Sequence, residues 1–280
     1  MQRSICVLEN IKAKPVVKWV GGKTQLLEKL MLKIPSDYGT YYEPFVGGGA
    51  LFFSIDSKRP SVLNDRNGQL INLYIQIRDN KELLIDSLNL LQDLHKKNPE
   101  ELYYKIREEY NKMLLANTYS LDSAAYFLYL NKAGFNGLYR TNRNGLFNVP
   151  FNKKKEVSLY SVENIEAVSN ALQDVSLLSG DFETACKPCK KGDFIFFDSP
   201  YYNTFDTYQS GGFTEDDHKR LFSLFQNLSD KGVYCMLTNS NEDFVKDLYK
   251  DYAIEIVDVK RMVNCDASKR TGQEIIVTNF

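Results

Sequence analysis

From Gly192 to Tyr201 the chain reads Gly-Asp-Phe-Ile-Phe-Phe-Asp-Ser-Pro-Tyr, an apolar run that stops abruptly at Asp198. Consecutive large apolar residues cannot alternate between a wet and a dry face, so the run reads as a strand buried on both sides, the mark of a parallel sheet covered by helices. A chain carrying such a strand is committed to an open α/β sheet, and sheets of that kind gather their ligands beyond the carboxyl ends of the strands. Asp198 stands at that end. Taken alone, Asp-Ser-Pro is equally an ordinary turn, because Asp and Ser bond their own backbone and Pro presets φ. It also suits an amino group held in the plane of a base: Asp198 accepts one N–H, a turn carbonyl accepts the other, and Tyr201 covers the ring.

A second segment bears on the choice. Thr40-Tyr-Tyr-Glu-Pro-Phe-Val-Gly-Gly-Gly-Ala-Leu-Phe-Phe53 predicts a short strand ending at Glu43, a glycine loop through which backbone can approach a ligand, and a helix beginning at Ala50. The next strand, Ser61 to Asp65, ends in an acid suited to ribose hydroxyls. The Gly-x-Gly-x-x-Gly fingerprint is absent, which disfavours NAD. Gly22-Lys23-Thr24 looks like the end of a phosphate loop, yet the position that must be glycine is Val17, so a nucleotide triphosphate site fails on spacing.

In order and spacing, Trp19-Val-Gly-Gly-Lys23, Glu43-Pro-Phe-Val-Gly-Gly-Gly49, Asp65, Gly180-Asp-Phe182 and Asp198-Ser-Pro-Tyr201 resemble the motif set of the Dam family of DNA adenine-N6 methyltransferases, from about Lys14 to the C-terminus. The resemblance implies a Rossmann-like α/β sheet dependent on S-adenosylmethionine, with no metal. It implies that Trp19, Lys23 and the loop Phe45, Gly47 and Gly49 hold the methionine end of the cofactor, Asp65 the ribose, and Asp181 with Phe182 the adenine. Asp198, Ser199, Pro200 and Tyr201 are then the catalytic turn, and a target adenine must be flipped out of the duplex to reach it.

At 280 residues and 43% hydrophobic content the chain can bury a sizeable core with room for an insertion. The formal charge is −1, so a nucleic-acid surface has to come from local clusters. Residues 1–33 carry seven Lys or Arg against two acids, and residues 131–160 carry six against one. The Lys153–Lys155 run by itself reads as a solvated face. Five cysteines, an odd number without a secretory signal, point to a reducing cytoplasm; Cys186-Lys-Pro-Cys189 lacks a second metal-ligating pair and reads as an incidental loop pair. No apolar run approaches the length of a membrane span.

Helical periodicity follows Asp65, with Leu70, Ile71, Tyr74 and Ile77 on one face, and continues through 82–94, 101–115 and 121–131. Asn144-Gly145 then predicts a tight hairpin. Alternation resumes with helix 162–173, strands 175–179 and 192–198, helix 214–228, strand 232–238, helix 241–250 and strands near 252–260 and 273–279. The reading is a catalytic domain built from residues 1–67 and 154–280, with a helical insertion and hairpin at 68–153.

The resemblance makes that insertion the target recognition domain and duplex DNA the partner, with GATC as the sequence read by the segment from Phe135 to Pro150. Arg140 can donate two parallel bonds to guanine, Asn136 and Asn142 can bond bases or phosphates, and Leu138 can touch a thymine methyl. Phe135, Leu138 and Phe147 read equally as hairpin core, and Lys18 joins the DNA-contacting set from the N-terminal basic cluster. One departure stands out: Ser199 occupies the place of the family's second proline, keeping the carbonyl and losing the ring's rigidity. Three functions follow: an adenine methyltransferase, a DNA-binding protein with an impaired site, or an RNA or small-molecule methyltransferase, the last needing no hairpin.

Overall fold

A computed structural model of the chain describes residues 11–23, 25–55, 58–203, 212–260 and 271–280. Cys6, Cys265 and most of the segment between Tyr202 and Phe213 therefore lie outside the described residues. Helix α1 (Leu27–Lys33) precedes strand β1 (Tyr41–Glu43), and β2 is Ser61–Asp65. Helices α2 (Gly68–Asp79), α3 (Lys81–Lys97), α4 (Pro99–Leu115) and α5 (Leu121–Ala133) follow. The chain returns through α6 (Val162–Ala171), β3 (Val175–Ser179), α7 (Phe182–Cys186), β4 (Phe194–Phe197), α8 (Glu215–Asp230), β5 (Tyr234–Ser240), α9 (Asp243–Leu248), β6 (Ala253–Lys260) and β7 (Thr271–Thr278).

The strands form one sheet in the order β3-β2-β1-β4-β5-β7-β6, parallel except for β7, which pairs antiparallel with both β5 and β6. This is the Rossmann-like architecture that the buried run predicts. All four residues of β4 are buried, and they alternate between two cores: Phe194 and Phe196 join one cluster, Ile195 and Phe197 the other. The strand order reverses between β1 and β4, so their carboxyl ends, carrying Glu43 and Asp198, flank the crevice where such sheets place ligands.

In the inserted helices α5 is the centre, with nine buried residues and contacts to α2, α3 and α4. A helix apolar on nearly every face belongs in an interior, and its start is fixed by a reciprocal cap between Ser120 and Ser123. Helix α2 serves both layers, packing on α5 and also on β2 and β3. Among the described residues no helix is long and apolar enough to cross a membrane.

Two expectations need correction. The helix predicted from Ala50 is a single 3-10 turn, Phe52–Ser54, because burial of Phe52 and Phe53 fixes the chain there and Ile55 is already extended. The strand predicted at 232–238 runs two residues further, so Asn239 and Ser240 belong to its carboxyl end. The tight hairpin forms as expected, with an antiparallel bridge between Thr141 and Phe147 flanked by backbone bonds from the Asn142 N–H to the Leu146 carbonyl at 2.8 Å and from the Asn148 N–H to the Arg140 carbonyl at 3.1 Å. Asn142 Oδ1 captures the N–H groups of Asn144 and Leu146 at 2.9 and 3.1 Å, and Asn111 Oδ1 takes that of Phe147 at 2.8 Å, so side chains satisfy further donors of the turn. Cys186 and Cys189, read as a loop pair, are buried in the second core beside Cys235.

Because β4 supplies both cores, Phe196→Ala should cost about 3–5 kcal/mol of stability. Chemical denaturation measures it, and a loss below about 1 kcal/mol would show that the site collapses around the cavity or that β4 is not the keystone.

Candidate active site

The loops beyond β1, β2 and β3 are joined by one buried side chain. Asn64 Nδ2 donates to the carbonyls of Pro44 at 2.9 Å and Gly180 at 3.1 Å, while the Asn64 backbone carbonyl accepts the Val46 N–H at 2.8 Å. The Tyr74 hydroxyl, from α2, donates to the Gly47 carbonyl at 2.7 Å. Gly47 and Gly49 have φ of 47° and 68°, and a Cβ there would lie 2.7 Å from Trp19 and 2.8 Å from Phe53. The glycines therefore serve both the left-handed turn and the approach of aromatic rings.

These loops wall a cavity of about 920 Å³. All four residues from Asp198 to Tyr201 line it, as do Trp19, Lys23, Phe45, Gly47, Gly49, Asp65, Asp181 and Phe182. Of the residues expected to touch DNA, only Lys18 lines it. Leu138, Arg140 and Asn142 do not; Tyr139 and Thr141, between them in sequence, do. Phe147 is hairpin core at 2% exposure, Leu138 packs partly into that core, and Phe135 is exposed. Asn136 is exposed with a left-handed φ of 54°. Arg140 is tied to its own turn, Nε donating to Asn148 Oδ1 at 2.7 Å and Nη2 to the Asn148 carbonyl at 3.4 Å.

At the turn that follows β4, Asp198 Oδ1 accepts the Lys23 ammonium at 2.5 Å and the Thr238 hydroxyl at 2.8 Å. Lys23 also donates to the Gly21 carbonyl at 2.6 Å and lies 4.7 Å from the centre of the Tyr201 ring. The lysine assigned by resemblance to the cofactor thus sits on Asp198 and over the Tyr201 ring. Tyr201 donates to Glu274 at 2.8 Å. Burial raises Asp198 above the usual carboxylate range, with Lys23 and Thr238 pulling the other way.

At the other end, Asp65 accepts the N–H groups of Gly47 and Asn67 at 2.9 and 2.8 Å, so its carboxylate is aimed by backbone. Burial nevertheless pushes it up to about 6. Phe45, Phe182 and Phe213 cluster with ring centres 5.2 to 6.0 Å apart. Arg220 lies 4.9 Å from the Phe182 ring and pairs with Asp181, Glu183 and Asp217. Sequence reasoning missed Arg220, Glu274, Thr238 and Asn239. The signals were polar residues closing the apolar strand at 234–237 and an acid opening the apolar run at 275–277.

Glu43, 2% exposed, lines the same cavity and accepts the Tyr41 hydroxyl at 2.8 Å. Burial pushes it up to about 8, the Tyr41 bond opposing and the nearby Asp198 adding to the rise. The folded protein holds this proton more tightly than the unfolded chain, so the group's contribution to stability declines as pH rises from about 4.5 to about 8. Glu43→Gln removes the titration and keeps an acceptor for Tyr41. The variant's melting temperature should gain on the wild type across that window; a difference unchanged between about pH 5 and about pH 8.5 would show that Glu43 does not titrate in it.

Comparison with known proteins gives concordant matches. The family model for D12 class N6 adenine-specific DNA methyltransferases matches residues 19–264. The chain is 38% identical over 279 residues to a type II methyltransferase of Lactococcus lactis subsp. cremoris, the alignment covering 97% of each. It is 35% identical over 293 residues to a type II methyltransferase of Methanocaldococcus jannaschii, covering 96% of this chain and 100% of the relative. A DNA adenine methylase of Haemophilus influenzae is 28% identical over 277 residues, with 97% and 95% covered.

Proposed function

The chain belongs to the D12 class of N6 adenine-specific DNA methyltransferases, and from that premise we propose that it methylates N6 of an adenine flipped out of duplex DNA, within GATC. The observation that carries the reading is that Asp198-Ser-Pro-Tyr201 and the glycine loop wall one cavity at the point where the strand order reverses. Methyltransferases of this family use S-adenosylmethionine, and the residues present fit it. The glycine loop leaves backbone open to the methionine end together with Trp19, Asp65 is aimed for ribose hydroxyls, and Phe182 with Asp181 and Phe45 offers an aromatic site for adenine. When bound, the cofactor supplies a methyl group made electrophilic by its sulfonium.

The chain's own residues then have one task, to present a weak nucleophile. The lone pair of an adenine amine is conjugated with the ring. Asp198 and the carbonyl of Ser199 would each accept one of its N–H bonds, turning the lone pair out of the ring plane, while Tyr201 stacks on the base. Lys23 covers both Asp198 and Tyr201, so it has to move aside as the base enters. Asp198 would then face the positive charge that develops on N6, and the surplus proton would pass to its carboxylate and on to solvent.

Residues 68–153 are assigned to target recognition, with Lys18, Asn136, Arg140 and Asn142 on the DNA. The tether to Asn148 orients Arg140 and leaves Nη1 without a partner among the described residues, which favours a preset fork for guanine O6 and N7. Asn142 and Leu138 are partly spent on the turn and its core, so they rank below Arg140 as readers.

Asp198→Asn keeps the volume of the side chain and should lower turnover roughly 100-fold or more with cofactor affinity within about threefold, measured by labelled methyl transfer and calorimetry. Near wild-type turnover would remove Asp198 from catalysis. Arg140→Ala should cost about 1–3 kcal/mol and relax discrimination chiefly at one base pair, assayed on GATC duplexes and their single-base variants. Equal loss on every duplex, with the salt dependence lowered by about one unit of slope, would make Arg140 a phosphate contact instead.

A further inference from the structure

Ser199 is 2% exposed and Asn239, on the neighbouring strand, 1%. Asn239 Nδ2 donates to Ser199 Oγ at 3.2 Å. The orientation of that amide is set by its other end, where Oδ1 accepts the Tyr202 N–H at 3.0 Å and the Ser240 N–H at 2.9 Å. One amide therefore clamps the turn at its second residue and again just past its fourth. Thr238 holds Asp198, and the Ser240 hydroxyl donates to the Tyr202 carbonyl at 3.0 Å, so three consecutive residues at the end of β5 brace the turn along its length. In this network Ser199 contributes its side chain to Asn239.

We infer that Ser199 is a positioning residue: its hydroxyl, gripped by Asn239, supplies the stiffness that a proline ring would supply at that position, and so fixes the carbonyl and the ring that receive the target base. The inference rests on the proposed methyl transfer. It also explains how the turn keeps its shape without a second proline: a buried hydrogen bond to an amide anchored on the sheet restrains the residue from outside, whereas a ring restrains φ from within.

The two forms of restraint can be exchanged experimentally. Ser199→Ala and Ser199→Pro both delete the bond to Asn239, so an effect of that bond on overall stability alone appears in both. Only the alanine variant lacks a restraint at residue 199 itself. Hydrogen exchange at the Tyr202 amide and steady-state kinetics on duplex DNA read the outcome. The inference expects Ser199→Ala to exchange faster at Tyr202 and to lose about tenfold in kcat, with cofactor affinity within about twofold, and Ser199→Pro to stay within about threefold of wild type on both readouts. Wild-type exchange and kcat in Ser199→Ala would overturn it, as would a proline variant that folds and is as slow as alanine. Should Ser199→Pro not fold, Ser199→Thr keeps the hydroxyl and replaces it: wild-type behaviour supports the role and alanine-like behaviour overturns it. A wild-type protein that methylates no duplex would defeat the proposed function, while the exchange comparison would still test the brace.

Discussion

The architecture depends on a strand that has no wet face. Each residue of β4 is buried, alternate side chains feed separate cores, and the backbone bonds are spent on β1 and β5. Polar side chains can then appear only past the strand's end, where Asp198 stands. Strand β5 is likewise apolar through Leu237 and closes on three buried polar residues, Thr238, Asn239 and Ser240. The buried hydrogen bonds of the turn at Asp198 are thus consequences of where two apolar strands stop.

A cavity built from strand ends collects charge. Glu43, Asp65 and Asp198 line it with Lys23, and burial raises all three acids. Their differences follow from partners. Asp198 has a cation, Asp65 two backbone N–H groups and Glu43 a tyrosine hydroxyl; Glu43 is pushed up to about 8 and Asp65 to about 6. A site poised in this way suits a ligand with positive charge, because the cation that arrives relieves a cost the fold already bears.

Much of this was legible in the sequence. The doubly buried strand, the helices at 82–94, 101–115 and 121–131 and the residues of the cavity follow from period, punctuation and motif. What was hidden depends on contacts between distant segments. The 3-10 turn at Phe52 is set by aromatic packing, and the turn near Asn144 is shaped by Asn111, distant in sequence. Lys23 and Asp198 are 175 positions apart in the numbering, and no local pattern announces that a lysine beside a glycine pair will rest on the acid of the last motif. Asn239 was invisible for a similar reason: within one strand it is a polar residue at an end, and only strand pairing places it beside Ser199.

The inserted helices are not a separate body hung on the sheet. A single apolar cluster runs from Val16 through α2 to α5 and on to Phe196 and Ile276. Polar bolts reinforce it: Asn131 of α5 accepts the Lys18 N–H and donates to the carbonyls of Lys18 and Gly137, and Trp19 stacks on Tyr139 at 5.9 Å. The segment that carries Arg140 is thereby fixed to the segment that carries Lys23. A well-packed core resists continuous deformation, so little adjustment is available between the assigned reading surface and the cavity. On the proposed reading, changes on admitting a base fall instead to side chains that can exchange partners, and Lys23, held by Asp198 and the Gly21 carbonyl, is placed to do so. Under the proposed assignments, sequence reading and catalysis share one frame, and a misplaced turn at Arg140 would be felt at Asp198 through packing alone.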